Sequence, residues 1–438
     1  MAIKYIAVII FLIIYAIIMT ERVHRTIIAL WGAVLFTAIP LITPQGIQLG
    51  LLTPNDLVKY VNWEALGLIF GLFTLVAALR DSGFFRWLGL TILKATKFDP
   101  FNIFILFSLT AAFLAAFMDS ITVLMFMSVL TLETCGVLKI NPVPFIIAEI
   151  TSANIGGSAT MVGDPPNIII GTSLHFSFMD FVSNVSLISI TAFIVNCLFL
   201  GFIFRKMFAN RREIAALALS ENQKIEPSTA ITDLRLMIIS SVIFALAIAF
   251  LVFHHILGLS VALIGVTAAS FVLLLGGDKM PEVLERIDWH TLIFFTCLFI
   301  MVGGLEKTGA LEDMAHVIGR LSGGNVTIAV MIILWMSAVL SAIIDNVPFA
   351  AAMVPIVRNL STSSSLPLGM LAWALALGTD IGGNATPIGA SANIVGISAY
   401  EKRSGKKISW SEYCRAAIPA TILSVSVCSI LLYLKIIL

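Results

Sequence analysis

Apolar stretches close to the length that a bilayer demands recur along the chain, at 5–19, 26–43, 182–204, 236–253, 259–275 and 413–434. A helix needs roughly 17 to 25 predominantly apolar residues to cross the hydrocarbon core. With 59% hydrophobic and only 12% charged residues among 438, the chain carries more apolar surface than a water-soluble fold of this length buries. Backbone groups in lipid must be paired within the spanning element, which leaves helices or a closed barrel. A barrel would show weak alternating segments instead of long apolar runs, so an all-α polytopic membrane protein is expected. The run after Lys4 lacks a small-residue cleavage site and leads straight into another span, so it reads as a retained first helix and not a signal peptide.

The chain also repeats itself. A shift of 226 residues lays "VNWEALGLIFGLFTLVAALRDSGFF" (61–85) on "IDWHTLIFFTCLFIMVGGLEKTGAL" (287–311), pairing Trp63 with Trp289 and Gly83 with Gly309. Without a gap it also pairs "MDSITVLMFM" (118–127) with "IDNVPFAAAM" (344–353), so that Asp119 falls on Asp345. It further lays "NIGGSATMVGDPPNI" (154–168) over "DIGGNATPIGASANI" (380–394).

Lys and Arg gather on the cytoplasmic side. A path that starts outside crosses at 5–19, 26–43 and 65–79, dips in and returns over 101–138, and crosses again at 144–175 and 182–204. The second half starts inside and repeats the pattern through 236–253, 259–275, 291–304, 325–360, 367–400 and 413–434. Of the 26 Lys and Arg residues, only Lys4, Lys59, Lys307, Arg320, Arg358 and Lys435 then lie outside. Each half crosses an odd number of times, so the two repeats are inverted, an arrangement typical of secondary transporters. The organisation expected is a first repeat at 1–204, a basic cytoplasmic linker at 205–235 and a second repeat at 236–438. About ten transmembrane helices are accompanied by two re-entrant hairpins and two broken helices, with the N-terminus outside the cell. The charge count serves equally well if each hairpin is two full crossings. The polar "DSIT" and "IDN" elements at the turns favour re-entry.

The candidate chemistry lies in the breaks and the hairpin turns. Gly156, Gly157 and Gly163 weaken a helix, while Pro165 and Pro166 suit the first turn of a new one, with Asp164 placed as its N-cap. An unwound stretch cannot face lipid and must line a protein cavity. There Asn154, Ser158 and Thr160 would join its backbone around an ion or polar solute, with Asp380, Gly382, Gly383, Asn384 and Thr386 as the second copy. Asp119, with Ser120 and Thr122, and Asp345, with Asn346, sit inside apolar runs, where carboxylates are functional by default. As symmetry mates, Asp119 and Asp345 are expected on opposite sides of one central site. The mate of Asp380 is the neutral Asn154, so Asp380 leads as the proton carrier, ahead of Asp119 and Asp345. Glu149 reads equally as a satisfied polar group or a functional one. Cys135, Cys197, Cys297, Cys414 and Cys428 show no CxxC pairing and read as packing residues, and His254 and His255 as interfacial ones.

The segments "AFMDSITVLMFM", "AEITSANIGGSATMVGDPPN", "SAIIDNVPFAAAMVPI" and "GGNATPIGASANI" resemble the pink-eyed-dilution (P) permeases and arsenite efflux permeases of the ion transporter superfamily. That group also includes sodium/proton antiporters and citrate and dicarboxylate carriers. The resemblance covers nearly the whole chain. It implies a transport domain built from 101–175 and 325–400, a scaffold from the rest, a homodimer and elevator-like movement. It also implies, for arsenite permeases, a possible cytoplasmic ATPase partner. Where carboxylate carriers have Ser-Asn-Thr at each hairpin tip, this chain has Asp119-Ser120 and Asp345-Asn346. Clustered carboxylates repel a multivalent anion and suit protons, Na⁺ or a neutral hydroxylated solute such as arsenous acid.

The function expected is therefore proton-coupled export of arsenite or antimonite across the plasma membrane. Na⁺/H⁺ antiport is the alternative, and a dicarboxylate carrier or an ion channel ranks lower. A net charge of +1 gives no footprint for nucleic acid. The sequence shows no GxxxxGK[ST] loop, no nucleophile–base pair and no metal-ligand cluster, so neither an enzyme nor a cofactor or metal centre is expected.

Overall fold

The computed structural model describes residues 2–20, 22–38, 41–43, 46–48, 52–221, 226–277 and 279–438. Among the described residues, six helices are long and apolar enough to cross a bilayer: Trp63–Asp81, Ser120–Leu138, Phe178–Ile203, Leu234–Leu257, Trp289–Lys307 and Trp410–Ile437. Shorter apolar helices, including Ala2–Met19, Arg25–Ala38 and Val261–Leu275, complete the bundle. Large apolar side chains such as Leu198, Phe202, Ile256 and Leu274 stay exposed on the outer helices, as a lipid-facing surface requires. One span differs from expectation. The stretch 26–43 is a helix only to Ala38, and Leu41–Thr43 then pairs antiparallel with Gly46–Gln48. Pro40 follows in the sequence, and proline cannot continue a helical ladder.

The duplication is literal at the level of elements. Helices begin at Pro54 and Met280, Trp63 and Trp289, Phe84 and Ala310, Pro100 and Val326, Ser120 and Asn346, and Pro165 and Ser391, each pair separated by the same shift. Caps repeat as well. Asn62 and Asp288, Asp99 and Asn325, and Asp119 and Asp345 each accept a backbone N–H of their own first turn. The helices at Phe84 and Ala310 follow left-handed glycines, Gly83 (φ +86°) and Gly309 (φ +74°), a conformation that other residues resist.

Polar contacts made toward the helix ends fall into two groups, one for each face. On one, Arg286 meets Asp81 at 2.8 Å, Arg211 meets Asp99 at 3.8 Å and Arg403 meets Glu133 at 3.4 Å. On the other, Lys4 pairs with Asp313, Arg358 donates to the Ser173 carbonyl at 2.5 Å, and Lys307 donates to Asp56 at 2.7 Å. The Lys307 ammonium, with the Thr53 backbone and hydroxyl, holds the Asp56 carboxyl well below the usual carboxylate range. The two hairpins, Pro100–Ala115 with Ser120–Leu138 and Val326–Ser341 with Asn346–Ser364, enter from opposite faces and turn back inside the protein. Their tips meet there, since Ser120 and Asn346 both donate to the Asp164 carboxylate, at 2.7 and 2.8 Å.

Both broken spans are present, and the break falls later than expected. Val143–Gly157 and Pro165–Leu174 flank the first, and Leu368–Gly382, a short 3-10 turn Gly383–Ala385 and Ser391–Ser404 flank the second. Gly156, Gly157 and Gly382 are therefore helical and Gly383 lies in the 3-10 turn, where the sequence suggests unwound backbone for all four. Close packing explains the first and third. A Cβ on Gly156 would lie 2.1 Å from the Ala112 carbonyl oxygen, and one on Gly382 would lie 2.3 Å from the Cα of Ala338. Each unwound stretch is held by one amide. Asn167 donates to the Gly157 and Thr160 carbonyls, both at 3.1 Å, and its mate Asn393 donates to the Gly383 and Thr386 carbonyls, both at 2.8 Å. Thr160 and Thr386 in turn donate to the hairpin carbonyls of Ala116 and Ala342.

Two outcomes follow for purified protein in detergent. Gly156→Val drives a side chain into backbone and should destabilise by about 1–3 kcal/mol, lowering Tm. Gly136→Ala, where a Cβ meets nothing within 4 Å, should not lower it, and equal melting of the two variants would refute the packing role. Asn167→Ala and Asn393→Ala each strand buried carbonyls, at about 1–3 kcal/mol per unpaired group. Asn393→Ala should lose more folded protein on size exclusion, because Asn393 also accepts from Asn154 at 2.9 Å.

Candidate functional site

Four helices begin at one place inside the bundle, at Ser120, Pro165, Asn346 and Ser391. The residues ahead of them are Asp119, Asp164, Asp345 and Ala390. A helix N-terminus carries partial positive charge and unpaired N–H groups, so three aspartates there sit in a field that favours anions. Asp119 uses Oδ2 to accept from the Thr122 N–H and hydroxyl, both at 3.0 Å. Asp345 accepts from the Val347 N–H at 3.1 Å with Oδ1, and from Ser391 and Arg25 with Oδ2, the latter at 3.4 Å. Asp164 departs from its expected role. Its side chain makes no cap bond and instead accepts from Ser120 and Asn346, so one carboxylate ties the tips of both hairpins to the first break.

Asparagines from both breaks meet beside this point. Asn154 donates to the Asn384 and Asn393 side chains at 2.8 and 2.9 Å, and Asn384 donates to the Thr151 carbonyl at 3.3 Å. In the mirror position Asp380 replaces Asn154, against Asp164 and Asn167. Asp380 is fully buried. Among the described residues, neither of its carboxyl oxygens nor Asn167 Oδ1 has a hydrogen-bond partner.

A vestibule of about 380 Å³ reaches this region from one face, past His24, Arg25, Asp288, Asp345 and Ser391. A cavity of about 10 Å³ lies deeper, among Arg25, Asp119, Ser120, Asp164, Asn346 and Ser391, room for about one water molecule. The pocket of about 430 Å³ at the opposite face, lined by Asn62, Thr172, His175 and Arg358 among others, includes none of the tip residues.

Of the residues singled out in the sequence, Asp119, Ser120, Asp345 and Asn346 are brought together, with Thr122 holding Asp119. Asp119 and Asp345 do not line one chamber, however. Asp119 borders the small cavity and Asp345 the vestibule, and Arg25, Ile121 and Ser391 line both. Ser158 is turned away, bonding the Ile155 carbonyl and Ser189 at 2.7 and 2.8 Å. Gly156 and Gly382 serve packing, and Thr160 and Thr386 fasten the hairpins. Glu149 is buried and accepts from Thr131. Sequence reasoning missed Arg25, Asn167 and Asn393 and misassigned Asp164. Arg25 looks like one more topology-setting cation, whereas the two asparagines repeat at the 226-residue shift and were detectable on that ground.

The family described as CitMHS, citrate transporter, matches residues 15–378. The chain is 35% identical to a 46 kDa membrane protein of Mycobacterium leprae and 35% identical to an uncharacterized transporter of Mycobacterium tuberculosis, over 98% of each chain in both comparisons. It is 29% identical to the P protein of Homo sapiens, covering 94% of this chain and 58% of that one. Its fold is similar to the YdaH transporter of Alcanivorax borkumensis (TM-score 0.60, 14% identity, 94% of this chain and 98% of that one). It is also similar to MtrF of Neisseria gonorrhoeae (TM-score 0.52, 12% identity, 93% and 92%). The chain thus belongs to the CitMHS citrate transporter family of the ion transporter superfamily, and it is a multi-pass membrane transporter.

Proposed function

We propose that the protein is a proton-coupled secondary transporter that exports a small uncharged hydroxylated solute, arsenite or antimonite, by an elevator-like movement of 101–175 and 325–400 against the rest. The charge balance at the hairpin tips carries this reading. Asp119, Asp164 and Asp345 contribute three negative charges and Arg25 one positive charge. Four helix N-termini add roughly +0.5 each, so the tip region sums to about zero. Such a site has no net attraction for a citrate-like polyanion. It offers acceptors on the aspartates and donors on Ser120, Asn346 and Ser391, a mixed set that suits neutral hydroxyl groups. The vestibule with Arg25 faces the cytoplasm in this reading, since its side of the molecule carries most of the Lys and Arg, and the N-terminus lies outside.

Asp380 stands apart from that balance. It is buried, has no hydrogen-bond partner among the described residues, and has the neutral Asn154 as its symmetry mate. A proton that binds and leaves this carboxyl changes the charge of the site by one unit, and that is the coupling step proposed. The same oxygens support a second reading, Na⁺/H⁺ antiport, because Asp380 and Asn167 Oδ1 present acceptors of the kind a hard cation takes.

Proteoliposomes separate the two. A proton gradient that drives As(III) flux supports the first, Na⁺-dependent dissipation of a pH gradient supports the second, and the absence of both overturns both. Asp380→Asn should abolish pH-driven flux while solute binding persists. An Asn variant with unchanged pH dependence would remove Asp380 from the coupling.

A further inference from the structure

Arg25 opens the helix Arg25–Ala38 and reaches across to the hairpin tip of the second repeat. One side of its guanidinium is moored to the helix Trp289–Lys307, through Thr291 Oγ1 at 3.3 Å and over the Phe294 ring at 5.2 Å. The other side meets Asp345 Oδ2 at 3.4 Å and the Ser391 hydroxyl. Both ends are half-buried, with side-chain exposures of 26% for Arg25 and 18% for Asp345. Arg25 lines the vestibule and the inner cavity alike, and so stands in the wall between them. Repeat symmetry makes Asp119 the equivalent of Asp345, yet Asp119 has no arginine and keeps Oδ1 without a partner among the described residues.

We propose that Arg25 is a tethered counter-cation and gate. In the empty protein its guanidinium engages Asp345 and closes the inner cavity to the vestibule, and it swings back onto Thr291 and Phe294 when an entering solute or cation takes its place. An arginine suits this task because it stays charged throughout the cycle and so never competes as a proton carrier. Its planar fork can also hold Thr291 on one edge and the Asp345–Ser391 pair on the other, which a lysine cannot do at once. Removing one partner of a half-buried pair leaves the other charge uncompensated, so Asp345 becomes chemically available when Arg25 is lost. This inference rests on the transport reading for its place in a cycle, while the pairing and the seal do not depend on which solute is carried.

The test uses the full chain in liposomes and a hydrophobic carbodiimide, which modifies carboxyl groups in apolar surroundings that no cation engages, with mass spectrometry locating the adduct. Arg25→Gln should raise the rate of modification at Asp345 by about tenfold, because the carboxylate of this half-buried pair then has no cation engaging it. Modification at Glu149, remote from Arg25 in the hydrogen-bond network, serves as the internal reference. Thr291→Val, which unmoors the guanidinium without removing its charge and also takes one donor from Asp288, should raise the Asp345 rate less. Asp345 modification that stays at the wild-type rate in Arg25→Gln overturns the proposal. Should that variant fail to fold, an unchanged rate in Thr291→Val overturns it instead. Because no transported solute is needed, a wild-type protein that carries neither As(III) nor Na⁺ would sink the transport reading and leave this result standing.

Discussion

A bilayer core offers no water to a backbone N–H or carbonyl, and everything distinctive about this fold follows from breaking two spans under that constraint. Each break exposes carbonyls that must be paired within the protein. The chain meets the demand with a single asparagine per break, Asn167 and Asn393, which reaches back from the second half-helix to carbonyls at the end of the first half-helix and within the unwound stretch. Gly163 and Gly389 let the returning chain pass, since a Cβ on either would lie 2.4 Å from the carbonyl oxygen of Gly157 or Gly383. The threonines Thr160 and Thr386 then fix each break to a hairpin turn. With the backbone satisfied locally, the Asp164 side chain is available to join the two hairpin tips and that of Asp380 is left without a hydrogen-bond partner among the described residues.

The duplication supplies a symmetric frame, and three buried acids mark places where the symmetry fails. Asn167 and Asn393 are identical, Asp119 and Asp345 are identical, and all four have structural duties at helix starts or breaks. Asp164 stands opposite Ala390, Asp380 opposite Asn154 and Glu149 opposite Leu375. Repeat symmetry requires none of these acids; Asp164 ties the two hairpin tips together, whereas Asp380 has no hydrogen-bond partner among the described residues, and burying a carboxyl group without need is unfavourable. Arg25 breaks the symmetry a second time by attaching to one tip aspartate and not to its mate.

Much of this was legible in the sequence. The 226-residue shift anticipates which elements begin together, because both copies keep their caps and glycines at corresponding positions. What was not legible depends on distances between segments far apart in the chain. Gly156 and Gly382 read as helix breakers, since composition cannot distinguish a glycine that unwinds a helix from one that admits a neighbouring backbone. Asp164 read as a cap because its position is right for one, and only the fold brings Ser120 and Asn346 to its oxygens. Arg25 was hidden by the charge asymmetry that orients the chain, where an arginine that reaches a hairpin tip looks like any other loop cation. Helices such as Phe84–Ala95 and Ala310–Ser322 fall between the expected spans, as they are too short and too mixed in polarity to register as crossings.

The same symmetry bears on how the molecule can move. The first hairpin's Ser120–Leu138 packs against the second repeat's half-helix Ser391–Ser404, and Asn346–Ser364 packs against Pro165–Leu174. Each repeat therefore clasps a half-helix of the other, and Asp164 joins both tips across the middle. A displacement of one hairpin alone would pull it off a half-helix and strand Ser120 or Asn346 without its acceptor. The movement proposed above carries both hairpins and both broken helices together, which would keep these contacts intact and place the sliding surface at the contacts with the remaining helices. On the side of the vestibule, that surface is bridged by the guanidinium of Arg25 between Thr291 and Asp345.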